Sequence, residues 1–144
     1  MKFLLPFKMV MLLRFVPLIL GRFREFYYWD TYWIVKALLR FDMHATVRGM
    51  LENFLLMVST YGLVPNGGRV YYTKRSQPPF LTLMVREYMN AAADVAFLRQ
   101  NLETLEKEVE FWDKNRTVKI ERDGKFILGF LKSNSLCIVL KQKM

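Results

Sequence analysis

One cysteine, Cys137, and one histidine, His44, are all that the 144 residues contain of either type. A lone cysteine excludes an intramolecular disulfide and says nothing about compartment. With no second histidine and no paired cysteines, no zinc spacing exists, and a histidine-based triad has little to stand on. His44 reads as a surface residue near a helix start. No metal and no cofactor are expected. Long apolar runs are also missing. Lys8 and Arg14 interrupt the apolar beginning of the chain, so no stretch reaches the ~18 residues that a spanning helix needs. Lys2 ahead of apolar residues suggests a secretory signal, but no small-residue cleavage site precedes Gly21. Residues 1–20 therefore read as a divergent segment with an altered start.

Acidic residues are few: 13 against 22 lysines and arginines, for a net charge of +9. Six of the basic residues (Lys2, Lys8, Arg14, Lys132, Lys141 and Lys143) lie in the two terminal segments. They are spread out and form no run, which suits a solvated basic surface and gives no nucleic-acid footprint. With 53% hydrophobic and 15% aromatic residues, the chain is neither disordered nor low in complexity.

What is present concentrates in Gly21–Trp33. Arg22, Arg24, Glu25 and Asp30 alternate there with Phe23, Phe26, Tyr27, Tyr28, Trp29, Tyr32 and Trp33. No helical or strand period separates rings from charges, as it would in a core helix. Rings and charges on every face suit a pocket where a ligand is both stacked and hydrogen-bonded. A second block, Tyr61–Pro79, reads Tyr-Gly-Leu-Val-Pro-Asn-Gly-Gly-Arg-Val-Tyr-Tyr-Thr-Lys-Arg-Ser-Gln-Pro-Pro.

These two blocks, in this order and at this distance, resemble the signatures of the trehalases, glycosidases that split α,α-trehalose into two glucoses. The resemblance covers about residues 21–128. It implies an all-α fold, part of an (α/α)6 barrel of paired helices, with the catalytic domain several times longer than this chain. The domain reading is then a divergent segment at 1–20, a partial catalytic domain at 21–128 and a divergent tail at 129–144. The family has Pro-Gly-Gly-Arg-Phe where this chain has Leu20-Gly21-Arg22-Phe23, so one glycine of that loop is lost.

Apolar spacing predicts four helices. Asp30 is placed to cap a helix at 31–41, with Trp33, Ile34, Ala37, Leu38 and Phe41 as its stripe. A second, at 45–60, carries Val47, Met50, Leu51, Phe54, Leu55 and Val58. A long loop follows at 61–79. Pro65-Asn66-Gly67-Gly68 makes a turn tolerant of positive φ, and Arg69–Lys74 reads as a short extended segment. Pro78-Pro79 delays a third helix to 80–92, with Phe80, Leu83, Met84 and Tyr88 on one side. Asp94 separates it from a fourth at 95–115, striped by Leu98, Leu102, Leu105, Val109 and Trp112. Glu103, Glu106, Lys107 and Glu110 form its wet face. From Thr117 the period becomes two, and Asp123-Gly124 signals a β-hairpin near 117–128.

A disaccharide presents vicinal hydroxyls and C–H faces. Asp30 and Arg75 are suited to paired charge-assisted hydrogen bonds, and Tyr27 and Trp29 to ring faces. The resemblance implies sugar contact by Arg22, Trp29, Asp30, Asn66, Arg75, Ser76 and Gln77, with Phe23 and Tyr27 as further walls. Plainer readings stand beside these. Asp30 can be only a helix cap, Asn66 only a turn residue, Arg75 a partner for an acid elsewhere, and Arg24 and Glu25 a structural pair.

Trehalases invert configuration, which needs an acid and a base about 6.5–9.5 Å apart. By the resemblance, both carboxyls lie beyond this chain, so it holds no catalytic residue of its own. The expected function is trehalose hydrolysis, with trehalose as the small-molecule partner and this chain a truncated, inactive form. The alternatives are a non-catalytic fragment that binds sugar weakly or not at all, and a small basic membrane-surface protein anchored by residues 1–20. The resemblance leans to a secreted or membrane-associated setting over a cytoplasmic one.

Overall fold

In the computed structural model, residues 26–75, 77–122, 125–130 and 140–141 are described. Arg22, Phe23, Arg24, Glu25, Ser76, Cys137, residues 1–20 and the Asp123-Gly124 turn lie outside them. The chain is predominantly helical. The helices are α1 (Tyr28–Arg40), α2 (His44–Tyr61), α3 (Leu81–Ala92) and α4 (Val95–Asn115). Strands β1 (Thr117–Arg122), β2 (Lys125–Phe130) and β3 (Leu140–Lys141) follow as one antiparallel sheet. The expected hairpin is thus present and runs to Phe130, with Thr117 opposite Phe130 and Arg122 opposite Lys125. β3, paired with Leu128 and Gly129, had no signal in the sequence.

Helix α2 is the centre of the core. Val47, Met50, Leu51, Phe54, Leu55 and Val58 are all buried, as their spacing predicts, and Met57 joins them. Gly62 ends the helix at φ 78°, and its N–H donates to Val58 O at 2.8 Å. A residue with no Cβ adopts that left-handed conformation without steric cost. Helices α3 and α4 both pack on α2, and α1 packs on α2 and α3. Asp94 caps α4, its carboxylate accepting from Phe97 N–H at 3.0 Å.

Four expectations are corrected. First, α1 begins at Tyr28. Its N-cap is Tyr27, extended at φ −124° and ψ 134°, and Asp30 sits in the first turn. There it complements the helix dipole without capping. Second, the earlier start rotates the buried stripe of α1. Tyr28, Thr31, Tyr32 and Val35 face inward, while Trp33, Ala37 and Phe41 are exposed, Phe41 at 77%. Third, Val70–Lys74 forms a 3-10 turn in place of an extended segment. Fourth, Gly67 and Gly68 have no positive φ; among the described glycines only Gly62 does. Their value is close approach. A Cβ on Gly67 would lie 3.0 Å from the Tyr72 ring and 3.1 Å from Phe26 O, and one on Gly68 3.0 Å from the Phe26 ring.

Helix α4 also departs from its expected stripe. Phe97, Leu105 and Glu108 are its buried residues, while Leu102 and Val109 remain half exposed. A carboxylate inside the stripe hides the true inward face from any apolar count. With Val85 and Met89 of α3 and Leu98 and Leu105 of α4, they line an open apolar groove of about 510 Å³.

Candidate functional site

The two signature blocks meet through the backbone. Tyr27 forms an isolated antiparallel bridge with Gly67. Tyr28 N–H donates to Asn66 O at 3.1 Å, and Asn66 N–H donates to Arg75 O at 3.2 Å. Trp29 N–H donates to the Gln77 side-chain oxygen at 2.7 Å. The loop therefore lies against the start of α1 because its glycines admit the Phe26 and Tyr72 rings and its carbonyls take orphan donors of the helix end. Tyr27 and Tyr72 hydroxyls are 3.3 Å apart, and their rings meet edge to face at 6.0 Å. Trp29 tilts over Phe80 with centroids 5.0 Å apart and stays 37% exposed.

Five of the sequence-derived site residues are thereby joined in one connected region: Tyr27, Trp29, Asn66, Arg75 and Gln77. Asp30 is exposed in the first turn of α1, and Arg75 is exposed after the 3-10 turn. Arg22, Phe23 and Ser76 lie outside the described residues. The Asn66 Oδ1 atom is buried without a hydrogen-bond partner. A buried acceptor in that state lacks the partner such groups ordinarily have. Among the described residues, no group of His, Cys, Asp and Glu is arranged to hold a metal ion.

Sequence reasoning missed Glu108. It lies on α4 with no exposed surface, and its Oε1 accepts from the Tyr28 hydroxyl at 2.7 Å. Tyr28 is equally buried, and its oxygen also accepts from Leu81 N–H at 2.7 Å. Burial raises the Glu108 carboxyl from 4.5 to about 7, against smaller opposing effects of the Tyr28 hydroxyl and the Val64 backbone. Burial and the facing carboxylate push the Tyr28 phenol well above its usual value. The one available signal was Glu108 standing three residues after Leu105, on the inward face of α4.

A titrating carboxyl near neutrality invites the role of general acid. Glu108 has no surface for a substrate to touch, so it is no proton donor to a bound sugar. The chemistry within reach is hydrogen bonding and stacking: the exposed Asp30 carboxylate, the Arg75 guanidinium and the Trp29 face.

The trehalase family model matches residues 8–132, most of the chain. The human (Homo sapiens) trehalase is 60% identical over 105 residues, 73% of this chain and 18% of that protein. The honeybee (Apis mellifera) trehalase is 61% identical over 104 residues, covering 72% and 17%. The Dictyostelium discoideum trehalase is 50% identical over 102 residues, covering 69% and 17%. The chain spans less than a fifth of the length of these curated relatives. Two matched blocks that close on one another, and identity at this level over most of the chain, place the protein in the trehalase family.

Proposed function

We propose that this chain supplies the glucose-contacting side of a glycosidase that hydrolyses α,α-trehalose with inversion, within a larger (α/α)6 barrel. The observation that carries this reading is the closure of Tyr27–Trp29 on Asn66, Arg75 and Gln77 by backbone and side-chain hydrogen bonds. Asp30 and Arg75 would hold vicinal hydroxyls by paired hydrogen bonds. Trp29 and Tyr27 would cover a C–H face. Asn66 would hold the loop against the start of α1 through its backbone, its carbonyl accepting from Tyr28 N–H and its N–H donating to Arg75 O. Gln77 spends its oxygen on Trp29, so it would offer the sugar its amide N–H groups. Arg22, Phe23 and Ser76 complete the proposed set.

Hydrolysis asks for more than these residues. An inverting glycosidase protonates the leaving oxygen with one carboxyl and activates water with another. Asp30 lies in the set as a hydroxyl ligand, and Glu108 is shut off from substrate. Residues 21–128 are thus proposed as part of a catalytic domain whose acid and base lie elsewhere in the longer protein. The apolar faces left open at Trp33, Phe41, Leu102 and Val109 support further helices packing on this array.

The test is glucose release from trehalose. The 144-residue chain alone is expected to give none above background, since each well-placed acid or base contributes roughly 10²–10⁴-fold. The chain extended by the segments its relatives carry beyond this span is expected to be active, and Asp30→Ala in that longer protein to abolish activity. Glucose release by the chain alone, lost on Asp30→Ala, would overturn the reading.

A further inference from the structure

Tyr28 and Trp29 are neighbours in sequence, and each grips one end of the same short segment. Trp29 N–H holds Gln77 by its side-chain oxygen, and the Tyr28 hydroxyl holds Leu81 by its N–H, both at 2.7 Å. Leu81 opens α3, and its N-cap, Phe80, provides no side-chain acceptor. The Tyr28 oxygen thus takes an orphan donor that the local sequence leaves unmet. A phenol has one hydrogen and two lone pairs. Its hydrogen must point at an acceptor for a lone pair to face Leu81, and that acceptor is Glu108 Oε1, 80 residues along the chain.

We propose that Glu108 is a positioning residue: by fixing the Tyr28 hydroxyl it clamps the start of α1, with Trp29 and Asp30, to the Gln77–Leu81 segment. The inference rests on the sugar-site reading for its purpose but not for its geometry. Three observations carry the clamp. Tyr28 and Glu108 are both fully buried, so water offers the phenol no alternative acceptor. The Tyr28 ring is held edge-on against Phe54 at 5.4 Å, which fixes the direction of its hydroxyl. The segment between the two grips carries Pro78 and Pro79, whose rings lock φ and transmit displacement at one end to the other.

The groups facing the carboxyl are the Tyr28 hydroxyl from α1 and the Val64 backbone from the loop. Its flanking charged neighbours on α4, Lys107 and Glu110, are exposed. Glu108 Oε2 is buried without a hydrogen-bond partner. A charge forming there without a cation favours opening toward water. The Tyr28 bond itself favours the ionised carboxyl, but burial outweighs it, so ionisation draws the carboxyl toward water and loosens the clamp.

Amide hydrogen exchange on the 144-residue chain tests this. Exchange at Trp29 and Leu81 is divided by exchange at Met50, a core amide of α2, which cancels the intrinsic effect of pH. In the wild type both ratios are expected to rise as pH passes through about 7. Glu108→Gln keeps an acceptor for the phenol and cannot ionise, so it should hold both ratios low and flat. Tyr28→Phe removes the hydroxyl and should raise the Leu81 ratio roughly tenfold at every pH, the scale of one hydrogen bond. Glu108→Leu should behave like Tyr28→Phe. If the Leu variant fails to fold, the Gln and Phe variants still decide. A carboxyl that only supports the fold would move all amides together, and ratios that stay flat in the wild type overturn the proposal. Added trehalose separates the two claims. A pH-dependent clamp with no slowing of Trp29 exchange by trehalose, in the chain or its extended form, counts against the sugar reading alone.

Discussion

The backbone N–H of Trp29 donates to the side-chain oxygen of Gln77 at 2.7 Å, across 48 residues of sequence. The N-cap of α1, Tyr27, provides no side-chain acceptor, so the helix end is satisfied from a distant loop. Gln77→Ala is expected to cost about 1 kcal/mol, the usual weight of a lost helix cap. Gln77→Glu keeps the acceptor, adds a negative charge at the positive end of the helix and should cost less. Urea unfolding of the three proteins measures this, and an Ala variant as stable as the wild type would remove the capping role.

The buried Glu108 carboxyl predicts a pH dependence of stability. Its pKa is raised from 4.5 to about 7 in the folded protein. The folded state then keeps a proton that the unfolded chain releases. The contribution is fully present below about pH 4.5 and is lost as pH rises through about 7. At 1.36 kcal/mol per pKa unit, the loss is about 3 kcal/mol. The difference in unfolding free energy between wild type and Glu108→Gln, followed against pH, should carry that slope. A difference independent of pH would show that the carboxyl is not buried as described.

Asp94 joins three helices. One carboxylate oxygen caps α4 through Phe97 N–H, and the other accepts from Arg48 of α2 at 2.7 Å and Tyr88 of α3 at 3.2 Å. Asp94→Ala is expected to cost about 2 kcal/mol, a cap plus part of a charge-assisted hydrogen bond. Asp94→Asn keeps an acceptor oxygen for the cap and should lose less than half of that. Thermal or urea unfolding ranks the two, and equal losses would place the whole effect in the charge.

The exposed Leu102 and Val109 predict self-association of the isolated chain, because an uncovered apolar groove seeks a cover. Sedimentation should show concentration-dependent association. The Leu102→Lys and Val109→Lys double variant should reduce it with little change in unfolding free energy, both sites being on the surface. A wild-type chain that is monomeric and melts cooperatively would count against its being part of a larger array.

Helix positions were legible where packing follows composition. In α2 each predicted stripe residue is buried, because the helix is covered by both α3 and α4 and its apolar positions have nowhere else to face. In α1 the apolar spacing marks Trp33, Ile34, Ala37, Leu38 and Phe41; Ile34 and Leu38 pack against the core, but Trp33, Ala37 and Phe41 lie outside it. Tyr28, Thr31 and Tyr32 face inward there. Each has a polar atom that the fold satisfies: Tyr28 by Glu108, Thr31 by Tyr27 O at 2.7 Å, Tyr32 by Glu87 at 3.5 Å. An apolar count cannot foresee partners that lie elsewhere in the chain.

Phe54 and Met84 are buried at 3% and 0%, because α2 and α3 cover one another. Leu102, a stripe residue of α4, is half exposed because nothing described packs over it. For the candidate site, residue type pointed to Tyr27, Trp29 and Arg75, and the family resemblance alone added Asn66 and Gln77. The hydrogen bonds joining them were invisible, since they run through backbone atoms or a side-chain cap supplied from afar. Glu108 was hidden for the opposite reason: a glutamate among Glu103, Glu106 and Glu110 looks like one more solvated charge.

The Tyr28–Glu108 hydrogen bond sets an order on synthesis. The phenol reaches the cytosol or lumen 80 residues before its acceptor does. At about 5–20 residues per second, that gap lasts about 4–16 seconds, without counting the exit tunnel. Until α4 emerges, Tyr28 has only water for its hydrogen, and the aromatic run from Phe26 to Trp33 cannot settle into its final seat. A nascent chain stalled before residue 108 would display those rings to whatever binds exposed aromatics, and its release would depend on one carboxyl arriving last.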